Sequence, residues 1–154
     1  MAPGSHFVIL ADMNGDGRPD IVVSHGTRYV SVLLNKGGGT FAPAKGSPYD
    51  LGSEVYALAA ADFNRDRHND IIAATVNSVT VLLGDGARFV AGPGSPYRAG
   101  PGAYNVAVGD LNEDGMPDIV ASSFGSNAVT VLLAQAEPKA GDRKAMAGGI
   151  TRAR

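Results

Sequence analysis

One nine-residue pattern occurs three times in this chain at almost equal spacing. Asp12-Met-Asn14-Gly-Asp16-Gly17-Arg18-Pro-Asp20 returns as Asp62-Phe-Asn64-Arg65-Asp66-Arg67-His68-Asn69-Asp70, and again as Asp110-Leu-Asn112-Glu-Asp114-Gly115-Met116-Pro-Asp118, at offsets of 50 and 48 residues. Other landmarks keep step. Val32-Leu33-Leu34, Val81-Leu82-Leu83 and Val131-Leu132-Leu133 follow the acidic segments at similar distances, and Gly46-Ser-Pro-Tyr49 recurs as Gly94-Ser-Pro-Tyr97. A repeat of this length is one supersecondary unit that buries its apolar faces only against its neighbours. The fold therefore has to be a stack of such units.

Within a unit the periodicity is that of strands. Val8 and Leu10, Leu58 and Ala60, and Val106 and Val108 alternate with small or mixed residues before each acidic loop, the period-two signature of a half-buried strand. After each loop comes Ile21-Val22-Val23, Ile71-Ile72-Ala73 or Ile119-Val120-Ala121, largely β-branched and sheet-favouring. A polar turn leads to the Val-x-Val-Leu-Leu segment, and a Gly-rich turn leads to an edge strand at Phe41 or Phe89. No window carries a helical period. Four antiparallel strands in about 48 residues describe a propeller blade. A β-solenoid has shorter coils, and an isolated four-stranded module would leave one face in water. The expectation is an all-β chain of three four-stranded blades, at about 5–50, 51–98 and 99–136. The third is incomplete because no outer strand follows Leu133, and 137–154 form a flexible basic tail.

Composition narrows the function. There is no Cys, which removes disulfides and thiolate chemistry. The formal net charge of −2 gives no electrostatic reason for a nucleic-acid partner. The apolar runs are strand-sized, so no membrane insertion is expected, and the first residues show no basic region followed by an apolar stretch, so no signal peptide is visible in them.

Taken together, Asp-x-Asn-x-Asp-Gly-x-Pro-Asp-Ile-Val, Val-x-Val-Leu-Leu and Gly37-Gly-Gly-Thr-Phe41 resemble the FG-GAP/VCBS repeats of integrin-α-like β-propellers, over residues 6 to about 134. The resemblance implies blades of a propeller, a calcium ion in the Asp-rich loop between the first two strands of each blade, and an extracellular or cell-surface adhesive role. The second copy departs from the pattern at Arg65, Arg67, His68 and Asn69.

The loop spacing supports the same ion. Calcium takes six to eight oxygen ligands. Asp12, Asn14, Asp16 and Asp20 stand at positions 1, 3, 5 and 9, with the carbonyl of Arg18 at position 7 and Gly17 at the turn. The third loop offers Asp110, Asn112, Asp114, Asp118 and the Met116 carbonyl, and the second Asp62, Asn64, Asp66, Asp70 and the His68 carbonyl. Position 12 is Val23, Ala73 or Ala121 where an EF-hand has its Glu. Asp, Asn and Gly are also plain turn formers, but three converging carboxylates in each of three copies repel one another without a cation. Magnesium suits such a cage less well. Up to three Ca2+ ions are expected. The second site is the weakest, since Arg67 replaces the turn glycine and an Arg side chain could pair with the carboxylates instead.

Other signals carry less. His6, His25 and His68 are not spaced for zinc and are expected to be solvated. No Gly-x-Ser-x-Gly elbow is present, the Gly37–Gly39 run precedes no helix, and the paired carboxylates are committed to the loops, so no catalytic activity is expected. Tyr49, Tyr56, Tyr97 and Tyr104 recur at 48-residue intervals, which suits packing between blades or, alternatively, an aromatic platform for sugar or peptide. Three blades do not close a ring of about four to eight. The chain is thus read first as part of a longer propeller, and alternatively as one whose copies cover each other's open faces. The leading function is a calcium-stabilised propeller module binding an unknown protein ligand outside the cell. The alternative is a carbohydrate-binding, lectin-like module accompanying a secreted enzyme.

Overall fold

The computed structural model describes residues 7–134 and 151–153. The described residues form three antiparallel sheets, one per repeat, in chain order. The first contains β1 (Val8–Ala11), β2 (Asp20–Ser24), β3 (Tyr29–Gly37), β4 (Thr40–Pro43) and β5 (Tyr49–Asp50). The second contains β6 (Val55–Ala61), β7 (Asp70–Thr75), β8 (Ser78–Gly84), β9 (Phe89–Ala91) and β10 (Tyr97–Arg98), and the third β11 (Ala103–Gly109), β12 (Asp118–Ser123), β13 (Ala128–Leu133) and β14 (Thr151–Ala153). Each sheet is an up-and-down meander, as a propeller blade is.

The outer edge of the first two sheets differs from a single fourth strand. It is split, with β4 and β5 both on β3, and β9 and β10 both on β8. The detour between the halves is the Gly-Ser-Pro-Tyr segment. Where it leaves the ladder, the Val32 amide donates to Ser47 Oγ at 3.0 Å while Ala44 N–H donates to the Val32 carbonyl at 2.9 Å. Val81 is served identically by Ser95 Oγ and Gly92. A serine hydroxyl thus replaces the missing backbone partner, because a buried amide left unpaired is costly. Gly46 has φ +89°, and a Cβ there would lie 3.3 Å from the Tyr49 ring, so the motif needs glycine.

One further expectation is corrected. The third sheet is not left with three strands: Thr151–Ala153 pair antiparallel with Leu133, Leu132 and Val131. An open β13 edge presents unpaired N–H and C=O groups, and part of the presumed tail supplies their partners. The tail's residues 137–150 and 154 lie outside the described residues, as does His6. The polar turn after β12 contains one 3-10 turn, Phe124–Ser126, closed by Asn127 at φ +47°.

Two apolar layers lie between consecutive sheets. Val22, Val30 and Val32 of the first sheet meet Val55, Leu58, Ile71 and Leu82 of the second. The opposite face of the second, with Ala57, Ile72, Val79 and Val81, meets Val106, Ile119, Ala121 and Leu132 of the third. Full burial of each Val, Ile or Leu contributes about 1.5–3 kcal/mol, so the junctions between sheets dominate the stability.

Candidate metal loops

The three acidic segments connect β1 to β2, β6 to β7 and β11 to β12. In each, the carboxylate at position 1 is wrapped by its own loop. Asp12 Oδ1 accepts from Gly15 N at 2.7 Å and Asp16 N at 3.2 Å, and its Oδ2 from Gly17 N at 2.7 Å. Asp62 accepts from Asp66 N and Arg67 N, and Asp110 from Asp114 N and Gly115 N. The Asn at position 3 lies against the Asp at position 5: Asn14 Nδ2 is 2.9 Å from Asp16 Oδ2, Asn64 Nδ2 2.9 Å from Asp66 Oδ2, and Asn112 Nδ2 3.0 Å from Asp114 Oδ2. The position-5 Asp in turn accepts from the backbone N–H of Arg18, His68 or Met116. In every copy, therefore, the position-1 carboxylate binds backbone amides of its own loop while the side chains at positions 3 and 5 lie against each other.

This curl requires left-handed backbone. Position 6 has φ +79° at Gly17, +74° at Arg67 and +77° at Gly115. The same holds at position 4, which the sequence reading passed over: Gly15, Arg65 and Glu113 have φ +76°, +62° and +60°. The second loop thus holds two non-glycine residues in a conformation costing roughly 1–2 kcal/mol each.

Position 9 is different. Asp20, Asp70 and Asp118 are completely buried. One oxygen of each accepts the amide of position 2 (Met13, Phe63 or Leu111) and the other an amide near the end of the third strand (Asn35, Gly84 or Ala134), all at 2.7–2.9 Å. This carboxylate clasps the loop to the sheet. Burial pushes Asp70 up to about 6, against the pull of the Gly84 and Phe63 amides and with the Asp66 charge adding to the rise. Asp16 behaves oppositely: burial raises it, but the Asn14 amide, the Arg18 N–H and the Arg18 and Lys36 charges together hold it below its ordinary value.

Among the described residues no three His, Asp or Glu side chains converge tightly enough to hold a metal ion as they stand. The donor chemistry nevertheless fits calcium. Each loop offers three carboxylates, one amide oxygen and one backbone carbonyl, all hard oxygens, with no thiolate or imidazole among the assigned donors.

Basic side chains take unexpected places. Arg18 pairs with Asp16 at 2.5 Å in the first loop. In the second, neither Arg65 nor Arg67 forms an ion pair with its own loop among the described residues; the Arg65 guanidinium donates to the Gly115 carbonyl of the third loop. Asn69 Nδ2 donates to the Asp12 carbonyl at 2.9 Å, so the middle loop is tied to both neighbours and the three share one rim. His68 is not a solvated side chain either. It is half-buried, with its ring beside Gly15 and Gly86 and Nδ1 unpartnered. His25 is exposed, with Nε2 2.8 Å from Ser31 Oγ.

The tyrosines divide into two sets. Tyr49 packs edge-on against Phe89 of the next sheet at 5.4 Å and donates to the Lys45 carbonyl; Tyr97 donates to the Pro93 carbonyl. Tyr56 and Tyr104 sit where the ladder registers slip, between Val55 and Ala57 and between Ala103 and Asn105. They stack at 5.5 Å across the second junction, with Phe124 6.4 Å from Tyr104. Tyr104 and Phe124 also line a shallow hollow of about 310 Å³ with Ser122, Asn127 and Val129. None of the described helical turns is long and apolar enough to cross a membrane.

A comparison with curated proteins finds no match. The FG-GAP-like repeat does match, twice, over residues 12–73 and 62–121, each match running from one acidic loop through the following one into the strand beyond. Those spans cover most of the three sheets and contain every loop described above, and on them the chain belongs to the FG-GAP-like repeat family.

Proposed function

We propose that the chain is a calcium-binding propeller module, with an adhesive or scaffolding role outside the cell, in which calcium stiffens the rim formed by the three loops. The observation that carries this reading is the threefold recurrence of one oxygen-only donor group with the same internal hydrogen bonds, kept in the second loop despite two strained arginines. Asp12, Asn14 and Asp16 and their counterparts would hold the ion with the position-7 carbonyls of Arg18, His68 and Met116. Asp20, Asp70 and Asp118 contribute from the buried side. The ion supplies positive charge that relieves the repulsion among the carboxylates, and every assigned donor comes from within its own loop.

If ambient calcium exceeds the dissociation constant a hundredfold, a single site stabilises the fold by about 2.7 kcal/mol. Thermal melting in EDTA and in millimolar calcium is the test. A clear rise in midpoint with calcium is expected, and an unchanged midpoint removes the reading. Saturation at millimolar calcium suits an extracellular setting.

The lectin-like alternative gains one specific observation, the exposed ring pair Tyr104 and Phe124 beside the hollow. It transfers the sugar platform away from Tyr49 and Tyr97, whose rings are engaged in packing. Glycan-array binding that is lost in Tyr104→Ala would support it.

A further inference from the structure

The sheets stack in chain order, so each has one face toward the preceding sheet and one toward the following sheet. Cross-strand register makes the three copies of each face comparable. Val8, Leu58 and Val106 are equivalent, opposite Val23, Ala73 and Ala121. Leu58 is 4% exposed and Val106 8%, each covered by the sheet before it, whereas Val8 is 59% exposed. Phe41 repeats the contrast: it is 42% exposed, while its equivalent Phe89 is 7% exposed beneath Tyr49.

The other face shows the mirror situation. Val30, Val79 and Val129 are equivalent, opposite Ser24, Ala74 and Ser122. Val30 and Val79 are fully buried under the following sheet, and Val129 is 60% exposed. At position 2 of the loops Met13 is buried in the first junction, and Leu111 is 53% exposed. The first sheet therefore carries an unused leading face and the third an unused trailing face, each built at the positions that make the two internal junctions. Apolar positions buried in two copies and bare in the terminal one are the two halves of a further junction.

We infer that the leading face of one chain docks on the trailing face of a second copy, so that two chains form a ring of six sheets. The partner is the chain itself because its complementary halves are continuous in register with junctions already made inside it. Six sheets fall within the range of about four to eight for closed propellers. The inference does not rest on calcium, whose test reads a melting temperature and not a mass.

The test is light scattering of the full chain at about 100 μM, above the dissociation constant expected for an interface of standard size. A mass of two chains is expected. Val8→Arg and Val129→Arg each place a charge on one exposed face, so circular dichroism should show both variants folded while each falls to the mass of one chain. Mixing the two should restore a two-chain species, since one variant keeps its trailing face and the other its leading face. A single-chain mass for the unaltered protein, or a mass above two chains, overturns the proposal. Loss of association in only one variant overturns it as well, because that pattern means a face pairing with itself.

Discussion

At the scale of single residues, the acidic loops separate two kinds of carboxylate that look alike in the sequence. Those at positions 1 and 5 cap the turns of their own loop, while that at position 9 is buried with both oxygens on backbone amides. Asp70 shows the consequence. Its folded-state value of about 6 lies above the ordinary ~3.9, so between those pH values the folded chain binds more protons than the unfolded one. Stability contributed by this group is therefore present at the acid end of the window and falls as pH rises through it. In EDTA, melting of the wild type is expected to show this decline between about pH 4 and pH 6, and Asp70→Asn to lose that part of the slope. The turn residue of the second loop gives a further prediction. Arg67 holds φ +74° without forming an ion pair among the described residues, so Arg67→Gly should stabilise the chain by about 1 kcal/mol, read as a higher urea midpoint.

At the scale of elements, strand positions were legible in the sequence because alternation and β-branching are local. The acidic loops were legible for the same reason, every contact within them spanning seven residues or fewer. The split outer edge was not. Gly-Ser-Pro-Tyr reads as turn chemistry, and only the pairing of β4 and β5 on one side of β3 shows that Ser47 fills a gap in the ladder. Ser95→Ala should then leave the Val81 amide without its partner at 2.9 Å and cost about 1–3 kcal/mol in chemical denaturation. An exposed serine would be neutral. The strand at Thr151–Ala153 was equally hidden, because a three-residue strand has no periodicity of its own and is defined by the free edge it meets.

At the scale of the whole molecule, stability resides in the junctions between sheets, and the loops are wired across them. Phe63 plugs the loop end of the second junction, and Leu111 holds the same position in the third loop with no sheet against it. Phe63→Ala should cost about 2–4 kcal/mol, and Leu111→Ala within about 0.5 kcal/mol, both measured by denaturation at a concentration where the chain is a single copy. Arg65 and Asn69, departures from the repeat that read as damage to a metal loop, instead bind the carbonyls of Gly115 and Asp12 in the neighbouring loops. The sequence by itself determined the repeat, the inner strands of each sheet, the acidic pattern of each loop and the membership of the family, because all of these are written in spacings of a few residues. Only the tertiary structure decided which face of each sheet is covered, what the second loop's substituted residues hold, and where the C-terminal residues pair. Those outcomes depend on residues some fifty positions apart being brought into contact, and no local pattern records which neighbour will be there.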